Sequence, residues 1–311
     1  MDAPWRFVPL RCAYLRPMPA RPTPADFVTL FGLSLIWGTS YILIKWGLDV
    51  FTARQVALLR LGISAVALAP FAAVHLRRVR RDQLPLLFLV GLTGTALPSF
   101  LFPAAQQHLS SSLTGMLSSL NPLCTFLIAW LVFAARPERE QVVGIGVGLL
   151  GAVGLAYVTP GHEAPAGQLL YAGLVLAACL CYGTSANLVA VYFPRLPSLT
   201  ITVTSFFLVG LPALVYALLF GDVVETIGAR GGEGLRALGY VTILALGSTV
   251  VASFVFFRLI QRTGAIFAST VSYLIPLVAL LWGLLDGEGF SPWQLPSVAL
   301  VLLGVFMSKR K

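Results

Sequence analysis

Charge is what this sequence has least of. Asp, Glu, Lys and Arg together make up 11% of its 311 residues, under half the roughly 25% of an ordinary soluble domain, too few to cover a solvated surface. Acidic residues are scarcer still. The twelve Asp and Glu fall in loops, in the N-terminal arm or at helix ends, which leaves no carboxylate for an intramembrane proton relay. Three histidines and four cysteines give neither a metal cluster nor a disulfide framework. His75 and His162 lie in or beside loops, and Cys12 lies in the arm. Cys124, Cys179 and Cys181 sit inside apolar runs, where Cys179 and Cys181 face different sides of a helix and read as packing thiols. No G-x-x-x-x-G-K-[ST] loop occurs, so P-loop ATP hydrolysis is excluded. Neither a nucleophile–base pair nor a metal centre can be assembled, so no enzyme activity, cofactor or metal is expected.

What is present is apolar sequence in long pieces. Hydrophobic residues reach 58%, with a mean hydropathy of +0.87. They form continuous runs of about twenty residues, the length a bilayer core requires, and not the alternating pattern of a membrane barrel. The expected fold is an all-α membrane protein with ten transmembrane helices, near 27–46, 53–75, 84–106, 110–134, 140–158, 167–192, 199–220, 236–259, 264–285 and 292–308. Residues 1–25 are rich in Arg and Pro and lack the apolar core of a signal peptide; they read as a disordered basic arm, in which Met1 and Met18 both stand as starts. Connections are mostly short, the longest being Gly221–Leu235.

The formal net charge of +9 is a topology signal and not a nucleic-acid footprint, because the cations sit in short blocks at helix ends. With the N-terminus inside, the inner face receives sixteen Lys and Arg: four in the arm, Arg77, Arg78, Arg80, Arg81, Arg136, Arg139, Arg195, Arg258, Arg262 and Lys309-Arg310-Lys311. The outer face receives four: Lys45, Arg54, Arg230 and Arg236. Both termini are therefore expected in the cytoplasm, and the protein in the plasma (inner) membrane.

The chain also repeats itself. Trp37-Gly38-Thr39-Ser40 returns 145 residues later as Tyr182-Gly183-Thr184-Ser185; Gly94-Thr95 returns as Gly247-Ser248; Pro122 returns as Pro276. Three matches in register divide the chain into two five-helix units, 27–160 and 166–308. Five is odd, so the second unit enters the membrane from the opposite side, giving an inverted repeat.

Two tandem five-helix units, an aromatic-Gly-Thr-Ser motif in the first helix of each, Arg60 in the second helix and a proline-centred fourth helix resemble the EamA family of the drug/metabolite transporter superfamily. The resemblance covers nearly the whole chain after the arm. It implies transport of small metabolites, amino acids or toxic compounds, often outward, through a cavity between the repeats. The chain departs from the family pattern at the acidic residue expected after the fourth helix, which stands here as Arg136-Pro137-Glu138 and Gly287-Glu288, and at Ser205 and Phe206, where a counterpart of Arg60 is absent.

Interrupted helices in matching places of two halves point to a transporter's binding site. Pro122 and Pro276 break the helical ladder and are expected on the bundle side, where the freed carbonyls can be satisfied. Asn121 and Tyr273 beside them need hydrogen-bond partners, supplied by a cavity ligand or by neighbouring helices. Trp37 and Tyr182 lie mid-helix, away from the interfacial belts, and Tyr41 shares a face with Trp37. Arg60 is the one clearly intramembrane ionisable residue, poised for a substrate anion or for snorkelling to the outer interface. Gln106, Gln107 and His108 flank an exit path or form a wetted helix end. Gly146-Val147-Gly148-Leu149-Leu150-Gly151 matches a dinucleotide fingerprint by letter only, since no strand precedes it; with Gly144 it reads as a close helix-packing face. The expected function is a secondary transporter, working as an exporter by alternating access, with a small-molecule substrate and the bilayer as partners. A homodimer is left open, and the alternative is a lipid-binding or scaffold protein.

Overall fold

A computed structural model describes residues 22–133, 139–159 and 165–307. Residues 1–21 of the arm, Arg136-Pro137-Glu138, His162 and Lys309-Arg310-Lys311 lie outside the described residues. Ten labelled helices follow the expected segments: α1 Pro24–Leu48, α2 Ala53–Leu76, α3 Arg81–Gln106, α4 Ser111–Phe133, α5 Arg139–Val158, α6 Pro165–Tyr192, α7 Ser198–Phe220, α8 Gly232–Thr263, α9 Ala265–Leu285 and α10 Gln294–Met307. Eight are long and apolar enough to cross a membrane, while α5 and α10 contribute shorter apolar stretches, Val142–Val158 and Gln294–Gly304. No strand occurs among the described residues.

Helix starts follow from local chemistry. Thr23 with Asp26 and Thr52 with Gln55 form capping boxes for α1 and α2, and the Ser110 hydroxyl accepts from the Leu113 amide at 3.2 Å at the start of α4. Each satisfies amides that a first turn leaves unpaired. The connection expected over Gly221–Leu235 is partly helical. Asp222 turns the chain with a left-handed φ of 51°, and Val223–Arg230 then forms a two-turn helix. Val223 and Ile227, four apart, pack on Phe51, Val56, Ala237 and Val241, an apolar stripe that accounts for the helix.

Packing is organised in matched pairs. Helix α2 lies along α7, and α5 along α10; α4 packs on α6 as α9 packs on α1; α3 packs on α6 as α8 packs on α1. The α5–α10 contact is made by the expected glycine face: a Cβ on Gly304 would strike Gly144 O and Gly148 N, and one on Gly151 would approach Val301 N at 2.7 Å. Large apolar side chains such as Leu131, Leu170, Leu218, Leu219 and Phe306 point outward and are well exposed, as a lipid-facing surface requires. The two largest buried clusters meet at Trp37, which packs against both.

Four irregular turns interrupt the helices, again in matched places. Helix α3 has a π-helical turn at Leu92–Ala96 and α8 one at Leu244–Val251. Helix α4 tightens into a 3-10 turn at Ser118–Leu120 and α9 at Thr270–Tyr273. The breaks expected at Pro122 and Pro276 thus fall one turn before the prolines, which are buried within the first two residues of the helical halves that follow. The physical reason lies in the missing N–H: proline cannot return a bond to the preceding turn, so that turn tightens. Its serines and threonines then cap the carbonyls. Ser118 and Ser119 donate to Gly115 O and Met116 O at 2.6 and 2.5 Å, and Ser269 and Thr270 donate to Ile266 O and Phe267 O at 2.8 and 2.7 Å.

Candidate functional site

The four irregular turns converge on one internal cavity, together with the aromatic-Gly-Thr-Ser motifs of α1 and α6. The space open to the centre of a water molecule is about 70 Å³, several times the ~10–15 Å³ that one water needs. Its wall is built from residues at matching offsets in the two halves: Trp37 with Tyr182, Ser40 with Ser185, Thr95 with Ser248, Ser118 with Ser272, and Asn121 with Ile275.

The glycines of the two motifs explain how α1 and α6 reach the centre. A Cβ on Gly38 would meet the Val278 side chain at 2.5 Å, and one on Gly183 would meet the Thr125 backbone at 2.9 Å. Each first helix therefore lies directly on the helical half that follows the proline of the opposite unit. The motif serines then touch the π turns: Ser40 Oγ donates to Ser248 Oγ at 2.7 Å, and Ser185 Oγ donates to Val90 O at 3.2 Å, beside Gly94.

Of the six side chains expected to line a cavity, the structure brings five together: Trp37, Tyr41, Arg60, Asn121 and Tyr182. Trp37 packs edge-on against Phe256 with ring centroids 4.9 Å apart. Tyr41 packs on Phe102 at 5.5 Å, and Phe102 stacks on Tyr182 at 5.9 Å. Arg60 does not snorkel outward. It is 6% exposed, held by Nε donating to Thr249 Oγ1 at 2.7 Å, with the Tyr182 side chain as a neighbour. Asn121 Nδ2 donates to Ser272 Oγ at 3.4 Å, while Asn121 Oδ1 and Thr95 Oγ1 are buried with no protein partner.

Tyr273 is the correction. It packs against the apolar cluster behind the wall and does not line the cavity, because the 3-10 turn rotates its neighbour Ser272 inward. Pro122 and Pro276 likewise shape the wall without forming it. Gln106, Gln107 and His108 are also absent from the wall; His108 stacks on Tyr171 with centroids 3.7 Å apart. The residues missed by sequence reasoning include small polar ones, among them Ser40, Thr95, Ser185, Ser248, Thr249 and Ser272, and the aromatic residues Phe102, Phe256 and Phe257. The signal for the polar ones was the repeat itself, since Ser40, Ser185, Thr95 and Ser248 stand inside the quoted motifs.

Helix α1 carries an ion pair near each end. At its start Asp26 meets Arg262 at 3.2 Å. At its finish Lys45 meets Asp286 at 2.6 Å and Glu288 at 3.0 Å. Glu288, in the connection before α10, also accepts from the amides of Ser111 and Ser112 at 2.9 Å and from the Ser111 hydroxyl at 2.8 Å, a carboxylate on a helix N-terminus. Burial raises its pKa, but the bonds from Ser112, Lys45 and Ser111 outweigh that and hold it at about 2. Among the described residues no group of His, Cys, Asp and Glu has the arrangement of a metal site.

Relatives agree with this architecture. The chain is 29% identical over 286 residues to a probable terminal-alkyne amino-acid exporter of Streptantibioticus cattleyicolor, covering 88% of this chain and 90% of the relative. It is 26% identical over 292 residues to an uncharacterized inner membrane transporter of Escherichia coli (strain K12), covering 90% and 89%. A solved crystal structure superposes with a TM-score of 0.62 at 18% identity, covering 92% of this chain and 96% of that one, which shows a shared fold. The EamA-like transporter family matches the chain twice, over residues 27–157 and 169–310, one match to each half of the wall just described. On that double match, spanning most of its length, the chain belongs to the EamA-like transporter family.

Proposed function

We propose that this multi-pass inner-membrane transporter is a secondary exporter of a small organic metabolite, amino-acid-like or drug-like, working by alternating access. In this reading all ten helices cross the bilayer as two inverted five-helix repeats, with both termini cytoplasmic. The matched packing, the matched irregular turns and the two family matches support the duplication. The lysine and arginine bias supports the orientation.

The observation that carries the proposal is a single cavity whose wall draws equivalent residues from both halves. A site on the pseudo-symmetry axis of an inverted repeat is reached from either side by rocking one unit against the other. The ion pairs at the two ends of α1 are the contacts that open in turn: Asp26–Arg262 on the cytoplasmic side and Lys45–Asp286–Glu288 on the outer side. The export direction follows the exporter named among the relatives.

The test is a resistance and efflux screen. Cells overproducing the chain are challenged with toxic amino-acid analogues and small organic acids, and intracellular retention is measured. Overproduction should lower retention of at least one solute, and Trp37→Ala should abolish that effect with the protein still in the membrane. Unchanged retention across the panel, with the cavity inaccessible to thiol reagents, favours the scaffold reading.

A further inference from the structure

Among the described residues Arg60 is the one charged side chain on the cavity wall, and none of opposite sign lines it. No ion pair to Arg60 occurs among the described residues, and no carboxylate lines the cavity. The described carboxylates stand in connections or at helix ends, as Asp26, Asp286 and Glu288 do. A buried cation without a counter-ion is strongly disfavoured in a low-dielectric interior, so a site that keeps one is suited to an incoming anion. The guanidinium offers five N–H donors. The Nε–H is fixed by Thr249 at 2.7 Å and the guanidinium also meets the Tyr182 side chain; together they orient the plane and leave the remaining N–H donors for an incoming acceptor. Thr95 Oγ1, buried at 2% exposure, has no protein partner and stands on the same wall.

We propose that the solute docks by a carboxylate on Arg60, with its uncharged body against the aromatic wall of Trp37, Tyr41 and Phe102. This deepens the exporter reading and rests on it for the word solute, while the binding chemistry stands on the cavity. The unpaired positive charge rejects organic cations, since they would face Arg60 with no carboxylate to hold them. The aromatic rings accept a flat or apolar body. The modest volume selects a compact molecule over a lipid.

The test uses the full-length chain in lipid nanodiscs and three probes that share a ring and differ in one group: phenylacetate, phenylacetamide and phenethylamine. Isothermal titration and thermal melting should show binding and stabilisation by phenylacetate, and neither effect with the amide or the amine. Arg60→Gln should weaken phenylacetate binding at least tenfold. Arg60→Lys, which keeps the charge but loses the planar fork, should weaken it severalfold and covers the case in which the glutamine variant does not fold. Phenethylamine binding as well as phenylacetate overturns the proposal, as does unaltered phenylacetate binding in Arg60→Gln, or no phenylacetate binding to the wild type. Failure of transport is read separately. Phenylacetate binding with no solute exported from cells refutes the exporter and keeps the carboxylate site; export of cations without phenylacetate binding does the reverse.

Discussion

The indole Nε1 of Trp37 donates to the backbone carbonyl of Ser248 at 2.9 Å, so the aromatic residue of the first motif is tied to the π turn of the opposite half. Trp37→Phe keeps a smaller ring against Phe256 and removes the donor, leaving a buried carbonyl one partner short. Such a loss costs about 1–3 kcal/mol. The variant should fold, melt a few degrees lower in nanodiscs and export more slowly; a melting temperature equal to the wild type contradicts the tie.

Glu288 predicts an acid limit to stability. Its pKa is held at about 2 in the folded chain, against about 4.3 for an unperturbed glutamate. A depressed carboxylate stabilises the fold fully above the unfolded value and loses that contribution as pH falls toward the folded one. The Glu288 contribution to the melting temperature should therefore be full and constant between pH 6 and 8 and should be lost between about pH 4 and 2. Glu288→Gln should be less stable at pH 7 and show a shallower acid decline. An identical acid profile in wild type and variant contradicts the assignment.

Gly183 and Gly146 make a paired prediction about helix approach. A Cβ at 183 would sit 2.9 Å from the Thr125 backbone, whereas one at 146 meets nothing within 4 Å. Gly183→Ala must push α6 off α4, an overpacking cost of about 1–3 kcal/mol, and should distort the cavity as well. Gly146→Ala should be neutral or stabilise by about 0.5–1 kcal/mol through helix propensity. Melting curves of the two variants decide; equal behaviour contradicts the packing.

The bundle was legible in the sequence because bilayer-length apolar runs are a strong physical signal, and the segments matched the helices to within about four residues at each end. Helix α8 was the most underestimated, since Glu233 and Arg262 near its ends fell outside the expected 236–259 although helix termini tolerate charges well. Register within the helices was harder. Tyr273 was expected on the wall because a buried phenol needs a partner, and a 3-10 turn puts Ser272 there instead. The π turns at 92–96 and 244–251 left no mark beyond a Gly-Thr and a Gly-Ser pair, so Thr249, which holds Arg60, was invisible. Arg60 itself was legible as an intramembrane charge; its inward orientation depends on Thr249 and had to be seen in three dimensions.

In the proposed mechanism one cavity, shared by both halves, opens to each side of the membrane in turn. Tyr41→Cys lines that cavity and Tyr273→Cys lies behind it, both made in a chain with Cys12, Cys124, Cys179 and Cys181 replaced. Labelling each variant with a membrane-impermeant thiol reagent, from the cytoplasmic side and then from the outside in oriented vesicles, tests the claim directly. Tyr41→Cys should be modified from both sides, and Tyr273→Cys much more slowly from either. Modification of Tyr41→Cys from neither side, or from one side only, would contradict the mechanism.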